Sequence, residues 1–510
     1  MRRAAELRLA DSSSEKDHET SRPSGPQGPS GGSVMVPDLW PRRGKPVSLI
    51  RELRAANFRC FQAQQRVPLA PVTLLVGENS TGKTSLLALV RVLWDMAIPN
   101  SVPDFKEPPY DLGSFDEIAH HRGGRGGRAE EFTAGFTVPK EKPWLSDDYD
   151  DQDIREESRA RYYDATFRRH GPSAVAVEHT IRNERAELTA QTPVNGGLEV
   201  EFRLGEALWR NAFPRLASDS LGSVNQHGSR PWRFFRSLVE LKMVAEGPAA
   251  ESRQPMPRGL RDLHQLNFEV NRLYLPRPFA SAPVRSQPRR TYDPATAILD
   301  PEGGHIPMFL ADMARRNPEA WRNIRAGLER FGREAGLFDK IGIRNLGRGR
   351  SDSGPFQVEV RRPGKRNKGA MRNLIDMGYG VSQVLPVVTE LLRTIQPQMF
   401  LIQQPEVHLH PSAQAALGSF FCQAAATGKQ LLIETHSDHL IDRIRMEVRD
   451  GTAGLEPNDV SLLYFERNNL SVSIHALGWD QEGNLVSRDG GIPTGYRDFF
   501  RTERRRSLGL

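Results

Sequence analysis

Cysteine is nearly absent: Cys60 and Cys422 are the whole complement. Two thiols leave no disulfide framework and suit a reducing cytoplasm. No stretch approaches about eighteen uninterrupted apolar residues, so no membrane-spanning helix is expected. Sustained heptads are missing too. With 44 Gly and 37 Pro spread along the chain, a compact insertion is expected rather than a long coiled-coil arm. What remains is 38% hydrophobic and 26% charged, which allows packed cores under a highly polar surface. At 510 residues there is room for several average domains or one large two-lobed one. The net charge of +7 and pI of about 9.4 are compatible with nucleic acid or acidic partners. Charge alone does not separate these from a merely arginine-rich surface.

The richest stretch is Val72 to Trp94, VTLLVGENSTGKTSLLALVRVLW. Val72 to Val76 reads as a buried strand. Gly77, Glu78, Asn79, Ser80, Thr81, Gly82, Lys83 and Thr84 fit G-x-x-x-x-G-K-[ST], and an apolar helix is expected from Ser85. Strand, loop and helix together are the context in which this phosphate-binding motif is meaningful. The glycines let backbone N–H groups curl around phosphate oxygens, and the helix start adds a favourable dipole. Lys83 then reaches the terminal phosphates of ATP, and Thr84 ligates Mg²⁺. A chance Gly/Ser turn before a core helix is the bland alternative.

Ahead of this, residues 1–46 are rich in Ser, Pro, Gly and charge, as in RPSGPQGPSGGS from Arg22. They read as a disordered extension, because they bury too little apolar surface to offset ordering entropy. The basic start lacks a long apolar core, and Asp11, Glu15, Asp17 and Glu19 argue against a transit peptide. A start at Met35 is an equal alternative. Leu49 to Phe61 and Val67 to Leu69 read as strands leading into the phosphate-loop strand. His120 to Arg128, HHRGGRGGR, is a single RGG-like segment, or a solvated loop. Phe132 to about Leu204 alternates short β-type runs with loops. Residues 205–270 are mostly helical in period, and Pro276 to Pro294 is crowded with Pro and Arg. Asp300 to Ala311 opens a helix, and a second helical stretch is expected from Glu319 to Gly336, with Trp321, Ile324, Leu328 and Phe331 on one face. Phe356 to Val360 is a strand, and Arg361 to Lys368 a basic turn.

The C-terminal half supplies a second cluster. In MGYGVSQVLPVV, from Met377, Gly380 and Ser382 stand at the start of an apolar helix running to about Ile395, an anion site or an ordinary cap. Met399 to Ile402 is a buried strand ending in Gln403, Gln404, Pro405 and Glu406. A helix begins near Ser412. Gln430 to Glu434 is another buried strand, ending in Thr435, His436 and Ser437. Strand, helix and strand of these lengths imply a parallel sheet, with ligands at the strands' carboxyl ends. Metal binding by His408, His410 and His436 is a rival reading.

Four motifs in this order resemble the ABC-type AAA ATPases related to the overcoming-lysogenisation-defect (OLD) proteins and the Gabija ATPase. The phosphate loop follows N-F-R-x-F at Asn57 to Phe61. Gly378 to Gln383 is similar to the G-x-G-x-S-Q signature. Pro405 to Pro411 is similar to P-E-x-H-L-H-P after a Walker B strand, and Glu434 to Ser437 to the E-T-H-S switch. Pro283 to Tyr292 and Asp300 to Leu310 also resemble segments of this group, and the tail resembles a subgroup without a Toprim nuclease. The likeness covers about Val47 to Leu477.

The resemblance implies an α/β P-loop NTPase of ABC-ATPase type. A mostly parallel sheet flanked by helices is accompanied by an N-terminal β-rich lobe and a compact α/β insertion. Residues 47–100 form the N-terminal ATPase lobe, 101–345 the insertion and helical region, 346–477 the C-terminal ATPase lobe, and 478–510 a tail. It implies ATP and Mg²⁺ as cofactors, with Gly77 to Ser85 binding the nucleotide. Head-to-tail homodimers, or higher homo-oligomers, are implied. Gly380, Ser382 and Gln383 of one copy meet ATP on the other, and His436 senses the terminal phosphate. DNA contact and a separate effector or nuclease are implied partners in a cytoplasmic, antiphage or repair setting. About thirty residues follow Leu477, too few for a nuclease domain.

The sequence departs from the pattern at the Walker B strand. Gln403 takes the place of the carboxylate that helps hold Mg²⁺, and Gln404 that of the carboxylate that activates water. An amide carries no charge and is no general base near neutral pH. Either turnover is slow, or Glu434 or Glu406 substitutes. Glu434 ends the strand beside His436 and is the better candidate; Glu406 is expected to organise the following turn.

Overall fold

The structure, a computed structural model, describes residues 46, 48–97, 104–139, 162–191, 198–213, 277–294, 298–346, 354–362, 369–393 and 398–488. The expected N-terminal extension, most of the helical stretch over 205–270, most of the basic turn and the tail beyond Arg488 lie outside them.

The chain begins with β1 (Glu52–Ala56), β2 (Gln65–Pro68), β3 (Val72–Gly77), α1 (Lys83–Ala97) and α2 (Phe115–Ile118). Next come β4 (Glu131–Thr137), β5 (Tyr162–His170), β6 (Ser173–Arg182), β7 (Ala186–Gln191), β8 (Leu198–Leu204), β9 (Ala207–Phe213) and β10 (Phe279–Ser281). Then follow α3 (Ile306–Arg316), α4 (Pro318–Glu334), β11 (Lys340–Asn345), β12 (Phe356–Arg361), β13 (Arg372–Asn373) and α5 (Tyr379–Arg393). The last elements are β14 (Met399–Gln403), α6 (Pro411–Ala425), β15 (Gln430–Glu434), α7 (Asp438–Arg449), β16 (Val460–Asn468), β17 (Ser471–Trp479) and β18 (Leu485–Ser487).

Among the described residues the strands make three sheets. One is antiparallel, in the order β2-β1-β4-β5-β6-β7-β8-β9. Its inner face follows from alternation: Phe132 and Phe136 on β4 stand opposite Phe167 and Tyr163 on β5. The Phe132–Phe167 and Phe136–Tyr163 rings stack with centroids 4.7 and 4.9 Å apart. Such cross-strand aromatic pairs are a main source of sheet stability. One expectation is corrected here. The sequence predicts helical character from residue 205, yet Ala207–Phe213 is a strand paired with β8. The period-3.6 reading loses to a tight hairpin at Gly205 that returns the chain beside Leu204.

The second sheet has the order β10-β14-β15-β3-β16-β17-β18. It is parallel from β10 to β16 and antiparallel beyond. The expected α/β architecture, a mostly parallel core with a β-rich N-terminal region, is therefore present. β3 is buried on both faces, as central parallel strands are. Leu75 joins the core shared with α1 and the antiparallel sheet. Val72, Leu74 and Val76 join the core under α3 to α7, because successive strand side chains point to opposite faces. β11, β12 and β13 form the third, small sheet.

Gln430 ties the N-terminal approach to this core. Its fully buried amide accepts from Leu49 N and Ile50 N at 2.7 and 3.0 Å. It also donates to Ile50 O and Ala70 O at 2.8 and 3.2 Å. A satisfied buried amide of this kind fixes the register of the segment it binds.

Candidate nucleotide site

The phosphate loop leaves β3 at Gly77 and enters α1 at Lys83, so Lys83 and Thr84 belong to the first turn, two residues ahead of the expected start. Gly82 has φ +90°, and a Cβ there would collide with Cys60 Sγ. Only glycine fits this left-handed, crowded position. Leu86 N donates to Gly82 O at 3.0 Å, which leaves the first-turn N–H groups of Lys83, Thr84 and Ser85 outside the helical ladder. Glu78, Asn79 and Ser80 are exposed, while Thr81 is buried and its Oγ1 donates to Glu78 O at 2.8 Å. Lys83 is buried, and its Nζ donates to Gly77 O at 3.0 Å and Glu78 O at 2.6 Å. Burial pulls its ammonium below the ordinary lysine range, against the attraction of Glu434 and Glu78.

Three strand ends meet beside this loop. Gln403 of β14 stands opposite Glu434 of β15, which stands opposite Leu75 of β3. Thr84 Oγ1 donates to Glu434 Oε2 at 2.9 Å. Burial raises the Glu434 carboxyl above the ordinary glutamate range; the Thr84 bond and Lys83 oppose that rise. His436 is exposed, and desolvation, with Lys83 nearby, lowers its pKa. Gln404 has φ +40° and donates its N–H to Glu434 O at 2.8 Å. Glu406 holds its own turn through its backbone and the next strand end through its side chain. Leu409 N closes that turn on Glu406 O at 3.0 Å, while Glu406 Oε1 crosses to accept from His436 N at 2.7 Å. Its carboxyl is also raised by burial.

The signature residues lie on the other side of the Walker B turn. A Cβ on Gly380 would stand 2.8 Å from His408 O, so glycine lets α5 start against that turn. Ser382 is buried, and its Oγ donates to Tyr379 O at 2.9 Å. Gln383 Oε1 accepts from Arg285 N at 3.0 Å, and its Nε2 donates to Arg285 O at 3.1 Å. His410 caps α6, its Nδ1 accepting from Ser412 N at 3.3 Å. Among the described residues no group of three or more His, Cys, Asp or Glu side chains is placed to hold a metal ion. The His408, His410 and His436 reading therefore has no geometric support.

A cavity of about 1110 Å³ opens over the loop, lined by Ser80 to Ser85 and Glu434. Its described lining does not include Gly380, Ser382 or Gln383. The lining continues with Arg59, Cys60, Lys106, His120, His121 and Arg128. Arg59 donates to Leu112 O at 2.7 Å, and its own carbonyl lies 2.6 Å from His120 Nδ1. The sequence marks Asn57 to Phe61 and His120 to Arg128 as distinctive without placing either at the site. The N-F-R-x-F run before the phosphate loop is the usable signal. The RGG-like loop is largely exposed and reaches the cavity through His120, His121 and Arg128; it is closed by Arg122 N on Gly127 O at 2.8 Å, with Arg128 paired to Asp116 at 3.3 Å.

Residues 254–442 match the family described as "AAA domain, putative AbiEii toxin, Type IV TA system". That segment is thus similar to AAA-family ATPase domains. No curated protein sequence matches the chain. Among solved structures, the Smc head bound to the C-winged helix domain of ScpA is similar at 10% identity and a TM-score of 0.40, over 87% of this chain and 98% of that one. The Smc head with an extended coiled coil bound to the C-terminal domain of ScpA, derived from Pyrococcus furiosus, is similar at 9% identity and a TM-score of 0.38, over 89% and 99%. The SMC head domain from Thermotoga maritima is similar at 10% identity and a TM-score of 0.34, over 84% and 98%.

Proposed function

We propose that this protein binds ATP with Mg²⁺ and hydrolyses it slowly, as an ABC-type, nucleotide-driven dimeric switch. The observation that carries this is the 2.9 Å contact of Thr84 Oγ1 with Glu434 Oε2 beside the phosphate loop. The donor set suits a triphosphate. Unspent N–H groups start α1, and the Lys83 ammonium is held by the carbonyls of Gly77 and Glu78, which a phosphate can outbid. Thr84 would ligate the metal, and Glu434, which accepts from its hydroxyl, would bring to Mg²⁺ the negative charge that Gln403 lacks. Mg²⁺, when bound, neutralises developing phosphate charge.

Two predictions arise at this point. A raised Glu434 carboxyl protonates at higher pH than an ordinary glutamate. Mg²⁺-dependent ATP binding should therefore fall, as pH drops, above the usual glutamate range. Glu434→Gln should abolish that acid limb; a limb of the same midpoint in the variant would count against the assignment. The second concerns assembly. Within one chain Ser382 is apart from the cavity, so it is useful to ATP only if a second copy brings it. ATP with Mg²⁺ should shift the mass to a dimer or higher homo-oligomer, and Ser382→Arg should block the shift. Light scattering with and without nucleotide checks this; a mass that ignores ATP in both proteins would refute the switch.

The cellular setting proposed is cytoplasmic antiphage defence or repair beside DNA, with a separate effector or nuclease. The net charge of +7 and the toxin–antitoxin wording of the matched family support it. The relation to the OLD and Gabija ATPases belongs to the same proposal and rests on the four ordered motifs. No helix among the described residues is long and apolar enough to cross a membrane. A second reading, an ATP-binding scaffold with negligible turnover, is favoured by one observation: Gln403 and Gln404 both lack the carboxylate.

A further inference from the structure

Arg285 is among the largest fully buried side chains, at 2% exposure. Buried guanidinium groups are ordinarily paired with carboxylates, because desolvation of an unpaired charge is costly. Among the described residues Arg285 has no such partner within ion-pair distance. Its Nη2 donates to Gln403 O at 2.7 Å and to Ser281 Oγ at 3.4 Å, and its Nη1 to Gln404 O at 3.2 Å. Its Nε has no partner. Burial pulls the guanidinium down to about 10, with Glu406 the opposing charge. An apolar side chain would fill this space without that cost.

The bonds at both ends of Arg285 show what the cation does. The Gln383 amide grips its backbone through donor and acceptor at once, at 3.1 and 3.0 Å. Its guanidinium grips the last carbonyl of β14 and the next one. Gln404 is left-handed at φ +40°, a conformation that persists in a non-glycine residue only where the surroundings over-determine it. Here the Gln404 carbonyl is held by Arg285 and its N–H by Glu434 O. Glu406, in the same turn, holds His436 N.

We propose that Arg285 is a positioning residue that couples the start of α5 to the carboxyl ends of β14 and β15. A displacement of Gln383 moves the Arg285 backbone, and the guanidinium passes it to Gln404 and hence to Glu434 and His436. This rests on the nucleotide-switch reading for its purpose, but the mechanical link does not.

Amide hydrogen exchange on the nucleotide-free full chain tests the link. Q383A is expected to raise exchange at the Gln404 and His436 amides by about tenfold, with β3 amides at the native rate. R285K is expected to do the same, since one compact ammonium cannot span two carbonyls as the planar fork does. The double variant is expected to be no worse than either single one. R285K should also keep KM for ATP while kcat falls by about tenfold. Additive effects in the double variant, native exchange at Gln404 in Q383A, or uniform acceleration that includes β3 would overturn the coupling. Absence of ATP binding by the native protein would overturn the nucleotide reading and leave the exchange result to decide the link.

Discussion

Replacing Lys83 with Ala is expected to weaken ATP binding by roughly tenfold to a hundredfold without unfolding the protein. A hydrogen bond to a charged group is worth about 1.5–3 kcal/mol, which is the source of that range. Lys83 is the only cation in the loop itself, and its Nζ is spent on Gly77 O and Glu78 O. Those carbonyls border an exposed loop, where water can replace the ammonium. The fold does not depend on it, since β3 is held by apolar contacts on both faces and α1 by the core it shares with the antiparallel sheet. Titration with a fluorescent ATP analogue, alongside circular dichroism, measures both halves of the claim. Native affinity in a folded Lys83→Ala protein would remove the phosphate loop from the site.

Single-turnover hydrolysis carries the second large effect. Removing a general acid or base typically costs about a hundredfold to ten-thousandfold in rate. With an amide at Gln404 the native protein should already be slow by an amount of that order. Gln404→Glu should raise the rate, because the carboxylate would arise on a turn held by Glu434 O and Arg285. Glu434→Gln should remove what rate remains. It keeps a hydrogen-bond acceptor for Thr84 but discards the charge that faces Lys83 and the metal ligand. If Glu434 serves as the base itself, native turnover is ordinary and Glu434→Gln collapses it. Fast native turnover that survives Glu434→Gln would shift the base to Glu406, whose Oε2 is buried without a partner.

The local parts of this site are legible in the residues alone. A buried apolar run, a glycine-rich loop and a helix are contiguous, so Val72 to Trp94 can be read without knowing any partner. The same holds for the order of motifs around Gln383, Gln403 and Glu434, and for the strands that carry them. Which of these residues touch is a matter of packing. Thr84 and Glu434 are 350 positions apart and meet only because β15 pairs with β3. Arg285 lies in Pro283 to Tyr292, a segment similar to the family but crowded with Pro and Arg, and its role appears only when the pairing of β10 with β14 brings it to the Gln403 carbonyl. Residue 207 onward reads as helix because composition and period are local, whereas strand pairing is settled by what lies across the hairpin. Side-chain pattern specifies an element and its buried face; the pairing of distant strand ends, and therefore the charge each site residue meets, is specified by packing of the whole core.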